Sequence, residues 1–496
     1  MNEMLPKGWI VATLDDIADW GSGGTPKTTD KKYYNGNIPW LIIADLNNGI
    51  VKRSSKLITE IGLHNSSAKW VEIGSVLIAM YGSIGKLGIA GIRCTTNQAI
   101  AFTSKIWGGI PNWYLFHYLK YQEPHLLSIG QGGAQKNISQ TILKQYLIPL
   151  PPFNEQKRIV AKLDQIIPRI DLVKDRLDKI PAIIKQFRRS VLTAAVNGKL
   201  TEKWRDVHQD VESAEDLLER IHNEERGTEN PDRSFIFSKN EMLLPDSWVQ
   251  ISSEQINDHI TKGTTPINNG FVSTGIPYLK VYNIVNNKIN FEYKPQFVPN
   301  ELHNTFLSRS KVFPGDILMN IVGPPLGKIA IVPNTYYEWN INQALAIFRT
   351  RKMILNQYLY LVLTEGDSLA KILIETRGVV GQSNLSLEQC RSLLVNLPPL
   401  EEQKEIVRQV EKLFTLADKL ESHYQNAKAK VDKLSQSILA QAFRGELVIT
   451  EAELAEKEGR DFESAEKLLD RILEEKAKLV GSKKSPRARK KTKKEN

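Results

Sequence analysis

The chain has 496 residues, 25% of them charged and 41% hydrophobic, with two cysteines and a formal net charge of +10. That length and balance suit about three folded domains. No apolar run approaches the ~18 residues of a membrane-spanning helix, Cys94 and Cys390 form no CxxC and argue against a disulfide framework or zinc site, and the start MNEMLPKGWI has no signal-peptide layout, so a cytoplasmic protein is expected.

In chain order, residues 1–148 open with LPKGW (Leu5 to Trp9) and form a first globular part. The short apolar runs VLIAM and GKLGIA, bounded by glycine, predict strands, and NWYLFHYLKY predicts a helix. From Pro149 the stretch PLPPFNEQKRIVAKLDQIIPRIDLV begins a long helix that ends SVLTAAVNGKL at Leu200. Its apolar positions, Leu163, Ile166, Ile170, Val173, Leu177, Ile180, Ile184, Phe187 and Val191, step by three and four, a coiled-coil signal. Pro168 and Pro181 predict a bend near one or both, or a break into segments. SAEDLLERI (Ser213–Ile221) reads as a short capped helix, and the charged run from about Glu224 to Asn240 as a linker.

The remainder repeats the first half. LPDSW (Leu244 to Trp248) answers LPKGW, GTTP (Gly263–Pro266) answers GGTP (Gly23–Pro26), and Ile276-Pro277-Tyr278 answers Ile38-Pro39-Trp40. Asn342-Gln343-Ala344 answers Asn97-Gln98-Ala99, and QSNLS (Gln382–Ser386) answers QKNIS (Gln135–Ser139). A second long helix, NLPPLEEQKEIVRQVEKLFTLADKL from Asn396 to SILAQAFRGEL at Leu447, matches the first at one offset: Pro151, Glu155, Gln156 and Gly198 become Pro398, Glu402, Gln403 and Gly445. Its seam, Val410, Leu413, Ala417, Leu420, Tyr424, Ala427, Val431, Leu434 and Ile438, matches position by position, so the two helices are expected to pack on each other. The expected fold is α+β: two similar α+β domains separated and held by two long antiparallel coiled-coil helices, a tandem pseudo-symmetric duplication. The boundaries are 1–148 for the first domain, 149–239 for a helical spacer and linker, 240–396 for the second domain, 397–480 for the second spacer and 481–496 for a disordered basic tail. That tail, with eight Lys/Arg and one Glu, carries +7 of the +10, and either attracts phosphate or serves only as a solubilising end.

Catalytic patterns do not emerge. LPPF (Leu150–Phe153) lacks the polar first residue of an adenine-N6 methyltransferase motif, and a proline pair before a helix start accounts for it. GSIGK (Gly82–Lys86) and GPPLGK (Gly323–Lys328) fail as P-loops, with Met80 and Val322 in place of the first glycine and Leu87 and Ile329 in place of Ser/Thr. They read as turns whose lysine can still touch a phosphate.

Two similar domains at a fixed spacing make a ruler. A helix over Leu163–Val191 is about 42 Å long, of the order of the ~34 Å between half-sites on one face of B-DNA. The PPxxEQ helix starts and the VNGKLTEKWR and SILAQAFRGEL helix ends make the chain similar to the specificity (S) subunits of Type I restriction–modification enzymes. The resemblance covers nearly the whole chain. It implies two target-recognition domains on double-stranded DNA, and a complex with two methylation (M) subunits and two restriction (R) subunits. S-adenosylmethionine, ATP and Mg would serve those partners, with no cofactor, metal or catalytic residue in this chain. The competing readings are a self-contained DNA methyltransferase with diverged motifs and a scaffold joining two proteins without DNA contact.

Loop residues that differ between the matched domains are the candidates for DNA contact, since the two halves should read different bases. In the first domain these are Lys27, Thr28, Thr29, Lys31, Lys32, Tyr81, Ser83, Gln131, Gln135 and Lys136, with Lys86 for phosphate. In the second they are Lys262, Asn268, Asn269, Pro324, Pro325, Arg377, Gln382 and Ser383, with Lys328 for phosphate. Asn97-Gln98 and Asn342-Gln343 occur in both domains and are expected to be buried and structural. The small apolar helix ends AAVNGKL and AQAFRGEL are expected either to dock a partner or to close the coil.

Overall fold

A computed structural model describes residues 5–130, 137–225, 235–238, 244–266, 270–376 and 384–482. The helices that form the two spacers are α1 (Phe153–Leu177), α2 (Ile180–Val196) and α3 (Leu400–Arg444). The chain divides into two compact units, Met1–Asp178 with Asn426–Asn496, and Lys179–Gln425. This division does not follow the sequence repeat. Each unit holds one α+β domain, the start of the helix that follows it and the end of the other long helix.

The first long helix is broken, and the break has a steric cause. The ring of Pro181 would meet the carbonyl four residues earlier, which belongs to Leu177, the last residue of α1. Pro181 instead takes the first turn of α2, where its missing N–H is no loss. Pro168 is exposed and stays inside α1. Within each unit the helices pair antiparallel. In the first, Lys174 faces Asp432 (3.6 Å) and Lys428 pairs with Asp178. In the second, Arg188 pairs with Asp418 at 2.5 Å and lies over the Phe414 ring. Leu163, Ile170, Ile184, Val191, Val410, Ala417 and Tyr424 of the expected seam are buried. Val173, Leu420 and Leu434 are more than two-fifths exposed, because a helix pair covers only one stripe of each partner.

The sheets repeat between the units. In the first, Ala18–Ser22, Ile100–Ile106, Val76–Ala79, Leu87–Ala90 and Ile50–Val51 form a sheet in that spatial order. In the second the order is Asn257–Lys262, Leu345–Thr350, Ile317–Asn320 and Ile329–Ile331. The central strands are buried on both faces: Val76 and Ile78 lie in one core cluster while Leu77 and Ala79 lie in another, and Ile317 and Met319 are likewise separated from Leu318. This is why VLIAM, and Ile317 to Met319 in the second unit, are unbroken apolar runs rather than alternating ones. A second small sheet in each unit has a parallel central pairing, Trp40 with Thr95 and Tyr278 with Asn340.

The repeated motifs close each unit on itself. The Trp9 indole N–H donates to Glu155 (3.0 Å), and Trp248 donates to Glu402 (2.8 Å), so the LPxxW entry is locked to the PPxxEQ helix start. Gln156 and Gln403 each donate to the carbonyl of the first proline of their pair, Pro151 (2.8 Å) and Pro398 (3.0 Å). The Gln403 carbonyl also accepts the N–H of Leu355 (2.9 Å). The matching residue in the first unit is Pro111, which has no N–H, and the buried Gln156 Oε1 has no partner among the described residues.

The helix ends are consumed in the same way. Gly198 and Gly445 adopt φ of +80° and +77°, and a Cβ there would lie 2.5 Å from Pro245 and 2.4 Å from Pro6, the prolines of LPDSW and LPKGW. Ala195, Ala442 and Phe443 are buried inside their units, with Phe443 packed against Tyr114, Tyr118 and Tyr121. Of the two roles expected for these ends, closing the structure is the one observed.

The carboxylates of the two locks meet different neighbours. Glu402 accepts Trp248, Thr201 (2.6 Å) and the Arg205 guanidinium (2.5 Å). Glu155 accepts Trp9 and the backbone N–H of Glu451 (2.8 Å), with no cation in direct contact among the described residues. Burial pushes the Glu155 carboxyl up to about 7 against the pull of those two hydrogen bonds. Burial acts on Glu451 too, but Arg158 and Arg460 hold its carboxyl below the usual range.

Candidate nucleic-acid interface

Each unit carries a loop-and-turn platform built from the same parts. Gly23 and Gly263 pack so closely on the next loop that a Cβ would lie 2.1 Å from a carbonyl oxygen, that of Thr96 or Asn342. This approach lets Thr25 bond Gln98, and Thr265 bond Gln343. One position deeper an aromatic donor holds the loop: Trp40 Nε1 on the Gly24 carbonyl (3.0 Å), Tyr278 OH on the Thr264 carbonyl (2.8 Å).

The Asn-Gln pairs differ from expectation. Gln98 and Gln343 are exposed, and each side-chain carbonyl is occupied by its threonine. Asn97 and Asn342 do their structural work through the backbone, donating to Leu41 (3.0 Å) and Leu279 (3.1 Å). Their buried side-chain oxygens have no partner among the described residues. Presence in both domains identified a shared bond but not its burial.

Beside this loop stands a hairpin turn, Tyr81–Lys86 in the first unit and Val322–Lys328 in the second. Its first residue forms an isolated bridge, Tyr81 with Asn137 and Val322 with Asn384. Met80 N–H donates to Ala99 (2.8 Å) and Ile321 N–H to Ala344 (2.9 Å), so each turn is pinned from two sides. Gly82 and Gly323 take φ of +66° and +77°, and a Cβ on either would meet nothing within 4 Å, so the tips stand clear. The turns therefore present side chains on a rigid base.

The nominated residues distribute as follows. Lys27, Thr28, Thr29, Lys31 and Lys32 are exposed after the GGTP loop. Lys32 is ion-paired to Asp30 (3.1 Å), and that hydrogen bond raises its ammonium pKa. Tyr81 and Ser83 lie exposed on the first tip, and Pro324 and Pro325 on the second. Lys86 donates to the carbonyls of Ile43 (3.1 Å) and Ala44 (3.4 Å), committing much of its charge to the backbone. Lys262 is exposed at a strand end and Lys328 is half-buried at the turn, and neither side-chain ammonium makes a hydrogen bond or ion pair among the described residues. Gln131, Gln135, Lys136, Asn268, Asn269, Arg377, Gln382 and Ser383 lie outside the described residues. Sequence reasoning passed over Thr25, Thr265, Asn137, Asn384 and Val322; the first four were visible only as shared letters in the GGTP/GTTP and QKNIS/QSNLS blocks.

Both cysteines and His303 are buried. Burial pushes the Cys94 and Cys390 thiols up to about 12, far from thiolate. His303 is buried between Asn340 (3.0 Å) and Glu338 (2.9 Å), and burial lowers its pKa. Among the described residues no helix is long and apolar enough to cross a membrane, and no three His, Cys, Asp or Glu side chains gather as a metal site.

Fold and platform together define a duplicated recognition protein: two modules with a common frame and different exposed tips. The model of the Type I restriction modification DNA specificity domain matches residues 6–182 and again 245–429. The chain belongs to that family. It is 30% identical over 453 residues to the Type I restriction enzyme EcoBI specificity subunit of Escherichia coli, covering 88% of this chain and 86% of that one. Two solved structures share the fold. One is a chain of a type I R-M system studied for complex assembly and conformational transition (TM-score 0.64, 18% identity, 90% of this chain and 100% of that one). The other is the HsdS subunit of Thermoanaerobacter tengcongensis (TM-score 0.51, 19% identity, 90% and 99%).

Proposed function

We infer that this chain is the non-catalytic DNA-specificity subunit of a Type I restriction–modification complex. Each unit reads one half of an asymmetric bipartite target, and the paired helices set the unread gap. The observation that carries this reading is the duplicated platform, whose shared residues are spent on internal bonds while its exposed tips differ. A frame common to both modules with unlike tips is what two different half-sites require. Two methylation and two restriction subunits supply the chemistry: adenine-N6 methylation with S-adenosylmethionine, and ATP- and Mg-dependent translocation with cleavage of unmodified DNA. The complex works in the cytoplasm.

The test is genome-wide mapping of methylated adenine in the native host, with the chain present and deleted, alongside duplex binding by the complex reconstituted with its methylation subunits. Loss of methylation at one bipartite, asymmetric motif, and specific binding to that motif, is expected. Methylation unchanged by the deletion together with no sequence preference in binding overturns the reading.

A further inference from the structure

The two hairpin tips have opposite chemistry. In the first unit the tip offers hydroxyl groups, on Tyr81 and Ser83, both exposed. In the second it runs Val322-Gly323-Pro324-Pro325, with Val322 39% exposed and both prolines exposed. No N–H is left there for a ligand. The prolines have none, Gly323 N–H donates to Asn384 Oδ1 (3.2 Å), and Val322 N–H donates to Asn320 Oδ1 (3.3 Å). Asn320 also donates to the Pro325 carbonyl (2.7 Å), so one side chain clasps both ends of the tip. The result is a small apolar knob, held rigid before any partner arrives, with Lys262 and Lys328 in the same unit available to phosphate.

We propose that Val322, Pro324 and Pro325 read the 5-methyl group of a thymine in the major groove of the half-site addressed by the second unit. This rests on the DNA-specificity reading above. The major groove admits a hairpin, and of the four base edges there only thymine carries an apolar group. Each purine edge puts two polar groups there and thymine only O4 beside its methyl, so a tip without N–H groups leaves fewer groups unpaired against thymine. Because the tip is pinned by Asn320 and Asn384, little ordering is needed on contact.

The test uses the reconstituted complex and its mapped target. Exchange of residues 1–148 assigns the half-sites, since the half read by the second unit persists. Each thymine of that half is then replaced singly by deoxyuridine, which removes the methyl and keeps the hydrogen-bonding pattern. Binding about fourfold weaker is expected at one position, the effect of one buried carbon. A complex with Val322→Ser, Pro324→Ser and Pro325→Ser should bind the thymine and uracil duplexes equally, while responding as before to changes in the other half-site. The proposal is overturned if that half-site holds no thymine, if uracil is tolerated at every position, or if the uracil penalty survives in the variant. Failure of the complex to prefer its target over a scrambled duplex is a separate result, and overturns the DNA reading along with this one.

Discussion

Replacing Glu155 and Glu402 by glutamine should have different consequences, although the two residues occupy the same position of the repeat. Glu155 holds its proton up to about 7 in the folded chain against an ordinary value of 4.5. The folded state therefore binds that proton more tightly than the unfolded state, and the associated stability is complete below about pH 4.5 and lost as pH rises through 7. The gap corresponds to about 3 kcal/mol above pH 7. Glutamine is neutral throughout and can still accept from Trp9 or from the Glu451 N–H. Glu155→Gln should thus be near neutral at about pH 5 and gain up to about 3 kcal/mol relative to the native chain at about pH 8. Glu402→Gln leaves the Arg205 guanidinium without its anion and should lose about 3 kcal/mol at both pH values. Hydrogen–deuterium exchange of the full chain, comparing variant and native at each pH so that intrinsic rates cancel, reads both. Peptides covering residues 5–13 and 445–460 report the first lock, and those covering 198–206 and 244–252 the second. Protection in the first lock should change by a factor on the order of a hundred between the two pH values. A Glu155→Gln ratio that does not move with pH, or equal effects in the two locks, would refute the electrostatic account.

Other consequences can be checked one by one. Gln403→Met removes two hydrogen bonds and Gln156→Met one, so the former should cost about 1 kcal/mol more, read as a lower unfolding temperature by calorimetry. A higher temperature for Gln403→Met would contradict the Pro111 explanation. Gly198→Ala and Gly445→Ala combine a left-handed backbone with a collision against proline, whereas Gly323→Ala has the same backbone and open space. The first two should exceed by a clear margin the roughly 1–2 kcal/mol of left-handed strain expected for the third, with urea unfolding as the measure. In the reconstituted complex, Lys328→Ala should reduce the salt dependence of DNA binding by about one phosphate contact. Lys86→Ala should change that slope less, its ammonium being engaged by the Ile43 and Ala44 carbonyls.

Periodicity and repetition made the helices, the duplication and the doubly buried strands legible, because each leaves a local pattern in the letters. The division into units was not legible. Repetition suggests cutting the chain between its copies, yet Gly198 packs on Pro245 and Gly445 on Pro6, so each helix end folds with the domain of the other repeat. The Trp–Glu locks join residues 146 and 154 positions apart. Both motifs repeat, but nothing in either names the other as its partner. The prolines predict a bend or a break; the structure has a break after Leu177, whose place follows from the reach of the Pro181 ring.

Comparing two copies of one module therefore separates residues by what holds them, within a limit that Glu155 and Glu402 make plain. A shared residue such as Thr25/Thr265 or Gln98/Gln343 is explained by a bond that both units make. An unshared residue on a pinned tip, such as Ser83 or Pro324, breaks no internal bond when it changes, and is open to whatever the tip must meet. But the same letter can sit in unlike fields: Glu402 has Arg205 beside it, while two arginines near the first lock, Arg158 and Arg460, pair with Glu451 instead. Repetition of a residue fixes its geometry. Its charge state is set by neighbours that the repeat leaves free.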